Sequence, residues 1–73
     1  MGLDELLIGE EASILKITAV EPFKSRLFSL GLNSGERVKV LAYTLAKNTF
    51  EVEVNNAKIA LRAEEAEMVS VKK

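Results

Sequence analysis

The sequence predicts a mostly β chain: a small, partly closed barrel of about five antiparallel strands, with short helices inserted after the first strand and before the last. Three observations lead there. Arg37 to Leu45 and Thr49 to Val54 alternate in side-chain character with period two, the mark of half-buried strands. Asn55-Asn56 separates the second run from a further apolar run by the length of a two-residue hairpin loop. One short amphipathic segment, opened by proline and closed by glycine, precedes both runs. Closure into a barrel is favoured over an open sheet because it removes unpaired strand edges.

In chain order, the opening reads as one helical turn. Leu3, Leu6 and Leu7 recur at helical spacing, Asp4 and Glu5 lie near the positive N-terminal end, and Gly9 ends the turn. Ala12 to Val20 is expected to be the first strand, with Leu15, Ile17 and Ala19 alternating against Ile14, Lys16 and Thr18. Glu21-Pro22 then signals a helix start, because proline suits the first helical position and an acid just before it complements the macrodipole. Phe23, Leu27 and Leu30 fall on one face of a helix from Pro22 to Leu30, and Gly31 supplies its left-handed cap. Asn33-Ser34-Gly35 is a turn.

The second strand, Arg37 to Leu45, places Val38, Val40 and Ala42 on one face and Arg37, Lys39, Leu41, Tyr43 and Leu45 on the other. The latter face is basic at its start and apolar at its end, as expected of a long, curved strand whose far half is covered by another element or a partner. After a turn at Ala46-Lys47-Asn48, Phe50, Val52 and Val54 alternate with Thr49, Glu51 and Glu53. Counting outward from Asn55-Asn56 pairs Val54 with Ala57, Glu53 with Lys58, Val52 with Ile59 and Phe50 with Leu61. Opposite charges then meet on one side and apolar groups on the other, which supports that register. Ala63 to Glu67 reads as a helical turn and Met68 to Lys72 as the closing strand.

Length bounds the organisation: 73 residues make one domain, 1–73, and 48% hydrophobic against 29% charged residues places the chain among globular proteins rather than disordered ones. Met1 to Glu11 carries four acids and no Lys or Arg, the reverse of a signal peptide. No apolar run approaches the ~20 residues of a membrane span, so a cytoplasmic protein is expected. The absence of cysteine is compatible with a reducing compartment.

Several chemistries are excluded. Without His or Cys, no Ser/His/Asp or Cys/His nucleophile has its base. Gly31 and Gly35 bracket no phosphate-loop or dinucleotide motif. Glu64, Glu65 and Glu67 point in different directions from one turn, and they, like Asp4, Glu5, Glu10 and Glu11, read as solvated partners of helix dipoles rather than metal ligands or acid–base pairs. No catalytic, cofactor-binding or metal residue is assigned, and the chain is not expected to be an enzyme. Lys16, Lys24, Arg26, Arg37 and Lys39 invite a nucleic-acid-binding alternative, against which stand a net charge of −1 and 5% aromatic content. What remains is apolar surface. Leu41, Tyr43 and Leu45 form either a seat for the first turn, through Leu3, Leu6 and Leu7, or a patch for a protein partner.

Two motifs carry a resemblance to a known family. Arg26-Leu27-Phe28-Ser29-Leu30-Gly31-Leu32-Asn33-Ser34-Gly35 is similar to Arg-Leu-x-x-Leu-Gly-(Phe/Leu)-x-x-Gly, and Ile59-Ala60-Leu61-Arg62-Ala63-Glu64-Glu65-Ala66 to Ile-Ala-Leu-Arg-x-x-Glu-Ala, of the ferrous iron transport protein A (FeoA) family. Leu3-x-x-Leu6-x-x-Gly9 and Met68-Val69-Ser70-Val71 match as well. The resemblance implies an SH3-like barrel and a cytoplasmic accessory or regulatory role in ferrous iron uptake. It also implies protein–protein binding to the membrane transporter FeoB, with recruitment to the inner face of the membrane through that partner. A related barrel in iron-dependent repressors keeps a repressor-derived, nucleic-acid-binding module as the alternative.

The family's association with transition metals finds no soft ligand here, so involvement with iron is expected to be indirect and no cofactor is expected. Ala46-Lys47-Asn48-Thr49 and Asn56 depart from the glycine-containing loops of many members. Within the motifs, Leu27, Leu30, Ile59 and Leu61 are assigned to the core, and Arg62 is expected to tether the last turn through Glu65. The partner-binding residues proposed are Leu41, Tyr43 and Leu45, with Lys24 and Arg26 as a polar rim. A domain of this size also leaves room for a homo-oligomer.

Overall fold

The computed structural model describes residues 1–73. Its strands are β1 (Glu11–Ile17), β2 (Arg37–Tyr43), β3 (Thr49–Val54), β4 (Ala57–Arg62) and β5 (Val69–Lys72), and its helices are α1 (Phe23–Ser29), α2 (Ala63–Glu67) and an opening 3-10 turn, Leu3–Glu5. All strand pairs are antiparallel, in the order β4-β3-β2-β1-β5.

The β3–β4 hairpin carries the register expected from its sequence: Val54 faces Ala57, Glu53 faces Lys58, Val52 faces Ile59 and Phe50 faces Leu61. Asn55 and Asn56 both take positive φ, 52° and 64°, as a type I′ turn requires at its two central residues. Asparagine tolerates that region better than other residues with a Cβ, so the pair fixes the turn and the turn fixes the register.

Two strands depart from simple alternation. In β1, Ile14 pairs with Val71 and Lys16 with Ser70, so Leu15 is an extra residue in a bulge. The inward positions before it are Ala12 and Ile14, while Leu15 is 47% exposed, which corrects the expected face; the strand also ends at Ile17 rather than Val20. In β2, Val40 pairs with Val52 and Ala42 with Glu51, which puts a second bulge at Leu41. A bulge of one residue exchanges the two faces beyond it. Tyr43 therefore lies opposite Phe50 on the core side and Ala42 turns outward, the reverse of the expected placement; β2 ends at Tyr43, not Leu45.

The core gathers 17 apolar side chains, among them Leu3, Leu6, Ile14, Leu27, Leu32, Phe50, Val52, Leu61 and Val69. The opening turn contributes Leu3 and Leu6, whereas Leu7, expected beside them, is exposed. Residues 1–2 extend the sheet past β5: Gly2 bridges Ser70, and the Val71 N–H donates to the Met1 carbonyl at 2.8 Å.

Helix α1 follows Pro22, with Leu27 buried and Phe23 and Leu30 packed partly against the core. The Glu21 carboxylate accepts from the Ser25 hydroxyl at 2.7 Å and the Ser25 N–H at 2.9 Å. These bonds, the hydroxyl's first, hold the Glu21 carboxyl below the usual carboxylate range. A lowered folded pKa supports α1 fully at pH above the ordinary carboxylate value and is lost as pH falls through the lowered one. Ser25→Ala is expected to move the Glu21 titration midpoint back up, read from its carboxyl carbon shift; an unmoved midpoint would show that the serine does not set it.

At the far end of α1, Gly31 takes φ +94°, where a side chain is strained, and a Cβ there would meet Asn55 and Val54. In the middle of α1, the Arg26 guanidinium pairs with Glu65 of α2.

Candidate protein-binding surface

The first turn of α2 organises the end of the barrel where the predicted contact residues collect. Glu65 is 3% exposed, and its carboxylate accepts from the Arg62 N–H at 2.9 Å and from the Arg26 side chain. The guanidinium on Glu65 is therefore Arg26's; Arg62 contributes its backbone N–H, while its own guanidinium lies 4.0 Å from Glu64. Arg26, assigned to a rim, spends its charge joining α1 to α2. A buried carboxylate with a cation and an N–H on it is compensated on both oxygens.

On the other side of α2, the Ala63 N–H donates to the Asn48 carbonyl at 2.9 Å, which fastens the β2–β3 loop to the same turn. That loop is closed from within. The Thr44 hydroxyl oxygen accepts from the N–H groups of Asn48 (2.9 Å) and Thr49 (3.3 Å), and the Lys47 N–H donates to the Thr44 carbonyl at 2.8 Å. Lys47 takes φ 55°, and its ammonium sits 4.9 Å from the centre of the Tyr43 ring. Tyr43 in turn leans on Phe50, with ring centres 5.5 Å apart and planes tilted by 56°. Leu45 projects from this pinned loop entirely into solvent. Beside it, Ala42, Tyr43, Thr44, Thr49 and Glu51 line a depression of about 240 Å³.

Leu41, Tyr43 and Leu45 are thus not one strand face. Leu41 is half-buried at the bulge, next to the segment that bonds Gly9 N–H to the Val40 carbonyl and Val40 N–H to the Glu10 carbonyl. The opening segment therefore flanks β2 at Leu41, while Tyr43 and Leu45 belong to the loop end. Lys24 lies on the outer face of α1 with its ammonium 6.0 Å from the Phe28 ring centre. Phe28, one turn further along α1, is 41% exposed, and Val20, in the segment before the helix, is 73% exposed. Neither was singled out from the sequence, although Phe28 falls off the Phe23–Leu27–Leu30 face and could have been. No group of three acidic side chains is placed to hold a metal ion, and no helix is long and apolar enough to cross a membrane.

Comparison with known proteins agrees with this architecture. The model of the FeoA domain matches residues 1–73. The chain is 32% identical over 71 residues to a Campylobacter jejuni protein whose name assigns it to Fe(2+) transport as protein A, covering 97% of this chain and 96% of that one. It superposes with a TM-score of 0.90 and 33% identity on the solution structure of the FeoA protein from Chlorobium tepidum, over 99% of this chain and 69% of that one. With FeoA of Stenotrophomonas maltophilia, solved with zinc and described as a procaryotic SH3 domain protein, the TM-score is 0.88 and the identity 30%, over 99% and 89% of the two chains. The zinc belongs to that protein; the present chain has neither His nor Cys.

Proposed function

The chain belongs to the FeoA family, which serves ferrous iron transport on an SH3-like fold, and from that premise we propose that it is an accessory protein that regulates uptake by binding the cytosolic part of the transporter FeoB. The observation that carries this reading is the wholly exposed Leu45 on a loop held by Thr44, Lys47 and the Asn48–Ala63 bond. A loop ordered before contact loses little entropy on binding, and an apolar tip beside an aromatic ring and a cation has the composition of an interface anchor. Lys24 with Phe28 forms a second apolar and basic patch on α1, and both patches are tied to α2. Binding to the transporter would place the domain at the inner face of the membrane in the cytoplasm without a span of its own.

The test is a titration of the isotope-labelled domain with the cytosolic GTP-binding part of the transporter, with and without nucleotide. Amide shifts are expected between Tyr43 and Lys47 and around Lys24, largely retained at raised salt. Leu45→Ala is expected to weaken the complex by about 1–2 kcal/mol, the range of a truncated interface anchor. Absence of shifts at millimolar partner would overturn the reading. Binding to nucleic acid that falls steeply with salt would replace it by the repressor-derived alternative.

A further inference from the structure

The ten basic side chains of the chain divide by what they meet. Arg26, Arg62 and Lys73 stand in ion pairs. Lys24 and Lys47 lie against the rings of Phe28 and Tyr43. Lys39 faces Glu11 on β1 and Glu53 on β3, and Lys58 faces the same Glu53 from β4, so acid and base alternate across four strands of the outer face. The three that remain, Lys16, Arg37 and Lys72, come from three adjacent strands and gather at one place. Ser13 is its centre. It has Arg37 opposite on β2 and Lys72 opposite on β5, and its hydroxyl oxygen accepts from the Arg37 guanidinium at 3.2 Å. Past the bulge at Leu15, Lys16 pairs with Ser70, which shares the outer face with Lys72.

No acid completes this row. β3 ends at Val54, opposite Val38, so only the neutral Asn55 turn follows beside Arg37. Gly2, beyond Ser70, brings no side chain, and the Glu5 carboxylate that reaches back to it accepts its N–H at 2.7 Å. Glu36, whose carbonyl accepts from the Ile14 N–H, alternates with Arg37 and so lies on the Ile14 side. Glu11 is opposite Lys39. The position between two cations that Glu53 fills in one row is thus held by a serine in the next.

We propose that this node around Ser13 binds a phosphate monoester. The group carries about −1.5 to −2 charges at neutral pH, which the row lacks. Its oxygens accept from the Arg37 fork and from the Lys16 and Lys72 ammonium groups, and the Ser13 and Ser70 hydroxyls add donors from β1 and β5. A carboxylate from a protein partner or a second copy is the poorer occupant, because one planar, singly charged group with two oxygens cannot serve cations on three strands. A phosphodiester is poorer by charge alone. The site lies apart from the loop tip and α1 patches assigned to the transporter and does not depend on that contact. A free phosphate and the headgroup of a monoester phospholipid present the same chemistry.

The probe is inorganic phosphate, titrated into the full chain against chloride at matched ionic strength and followed by backbone amide shifts. Shifts are expected at Ser13, Lys16, Arg37, Ser70 and Lys72. Dimethyl phosphate, singly charged, should bind about tenfold more weakly, and so should phosphate to Arg37→Gln, which keeps the strand but loses the charged fork. Ser13→Asp, which supplies the missing acid, should abolish the response. Lys58→Gln, on the same face at the row that is already neutralised, should leave it unchanged. Vesicles of phosphatidylcholine with phosphatidic acid separate the sources: shifts at the same five residues assign the site to a headgroup as well, and their absence assigns it to soluble phosphates. No shifts at these residues with phosphate, or equal weakening by Arg37→Gln and Lys58→Gln, would overturn the proposal by showing general attraction of anions only.

Discussion

Phe50→Ala is expected to lower the unfolding free energy by about 3–5 kcal/mol, the cost of a large cavity in a packed core. Phe50 is 1% exposed and sits in β3, between Tyr43 on β2 and Leu61 on β4. Its removal empties the core and also takes away the ring on which Tyr43 leans, worth about 0.5–1.5 kcal/mol in its own right. A domain of this length holds roughly 4–11 kcal/mol in total, so the variant should be largely or partly unfolded at ambient temperature. Thermal unfolding should show a fall of about 15–30 °C. Phe50→Leu, which keeps most of the volume, should cost about 1 kcal/mol. A melting point within a few degrees of the parent for Phe50→Ala would mean that the core collapses around the site and that the tilted ring pair contributes little.

Arg26→Ala should cost about 2–3 kcal/mol, because the Glu65 carboxylate, with its side chain 4% exposed, would keep only the Arg62 N–H. The figure is set below that of a fully buried pair, since the Arg26 side chain is 52% exposed and water screens it. Glu65→Ala removes the same interaction and also the N-terminal bond of α2. A double-mutant cycle should therefore return a coupling of about 1–3 kcal/mol between the two positions. Hydrogen exchange should quicken in α1 far more than in β3 and β4, because the pair holds the helix and not the hairpin. Additive effects of the two substitutions would show that α1 is held by Leu27 and its neighbours alone.

The parts of this architecture that are written locally were readable from the sequence. The hairpin is one case: Asn55-Asn56, the apolar pairs and the Glu53–Lys58 pair all demand the same register, and the structure has it. The bounds of α2 are another, set by Arg62, Ala63 and Glu65 within a single turn. The bulges at Leu15 and Leu41 were not readable, because side-chain alternation runs through both without a glycine to mark a break. They arise from how β1 and β2 curve between partners distant in sequence, and that curvature decides which way Tyr43 points. The Arg26 guanidinium on Glu65 was missed for a similar reason, although the expected tether from Arg62 to Glu65 is present through the Arg62 N–H. Arg62 is close to Glu65 in sequence, while Arg26, 39 residues away, becomes close only once α1 and α2 are brought together by the fold.

The candidate site was legible in composition but not in arrangement. Tyr43 and Leu45 stand out as apolar residues at the end of a polar-faced strand. The separation of Leu41 from them by the bulge, the Lys47 ammonium over the ring and the open hollow at Glu51 depend on pairing across three strands. Phe28 follows Lys24 by one turn of α1, so that pair could have been read from helical spacing.

The strand order also bears on how the molecule is made. β1 lies between β2 and β5, so its second half stays unpaired until β5, which follows it by some 50 residues, has left the ribosome. At ~5–20 residues per second that wait lasts roughly 3–10 s. By its end the nascent chain carries the β2–β3–β4 meander and an incomplete apolar face, with Leu3 and Leu6 unable to settle before Val69 and Val71 arrive. Nascent chains halted just before β5 should accordingly be open to protease and to chaperone capture, and release of the last strand should close the barrel in one step.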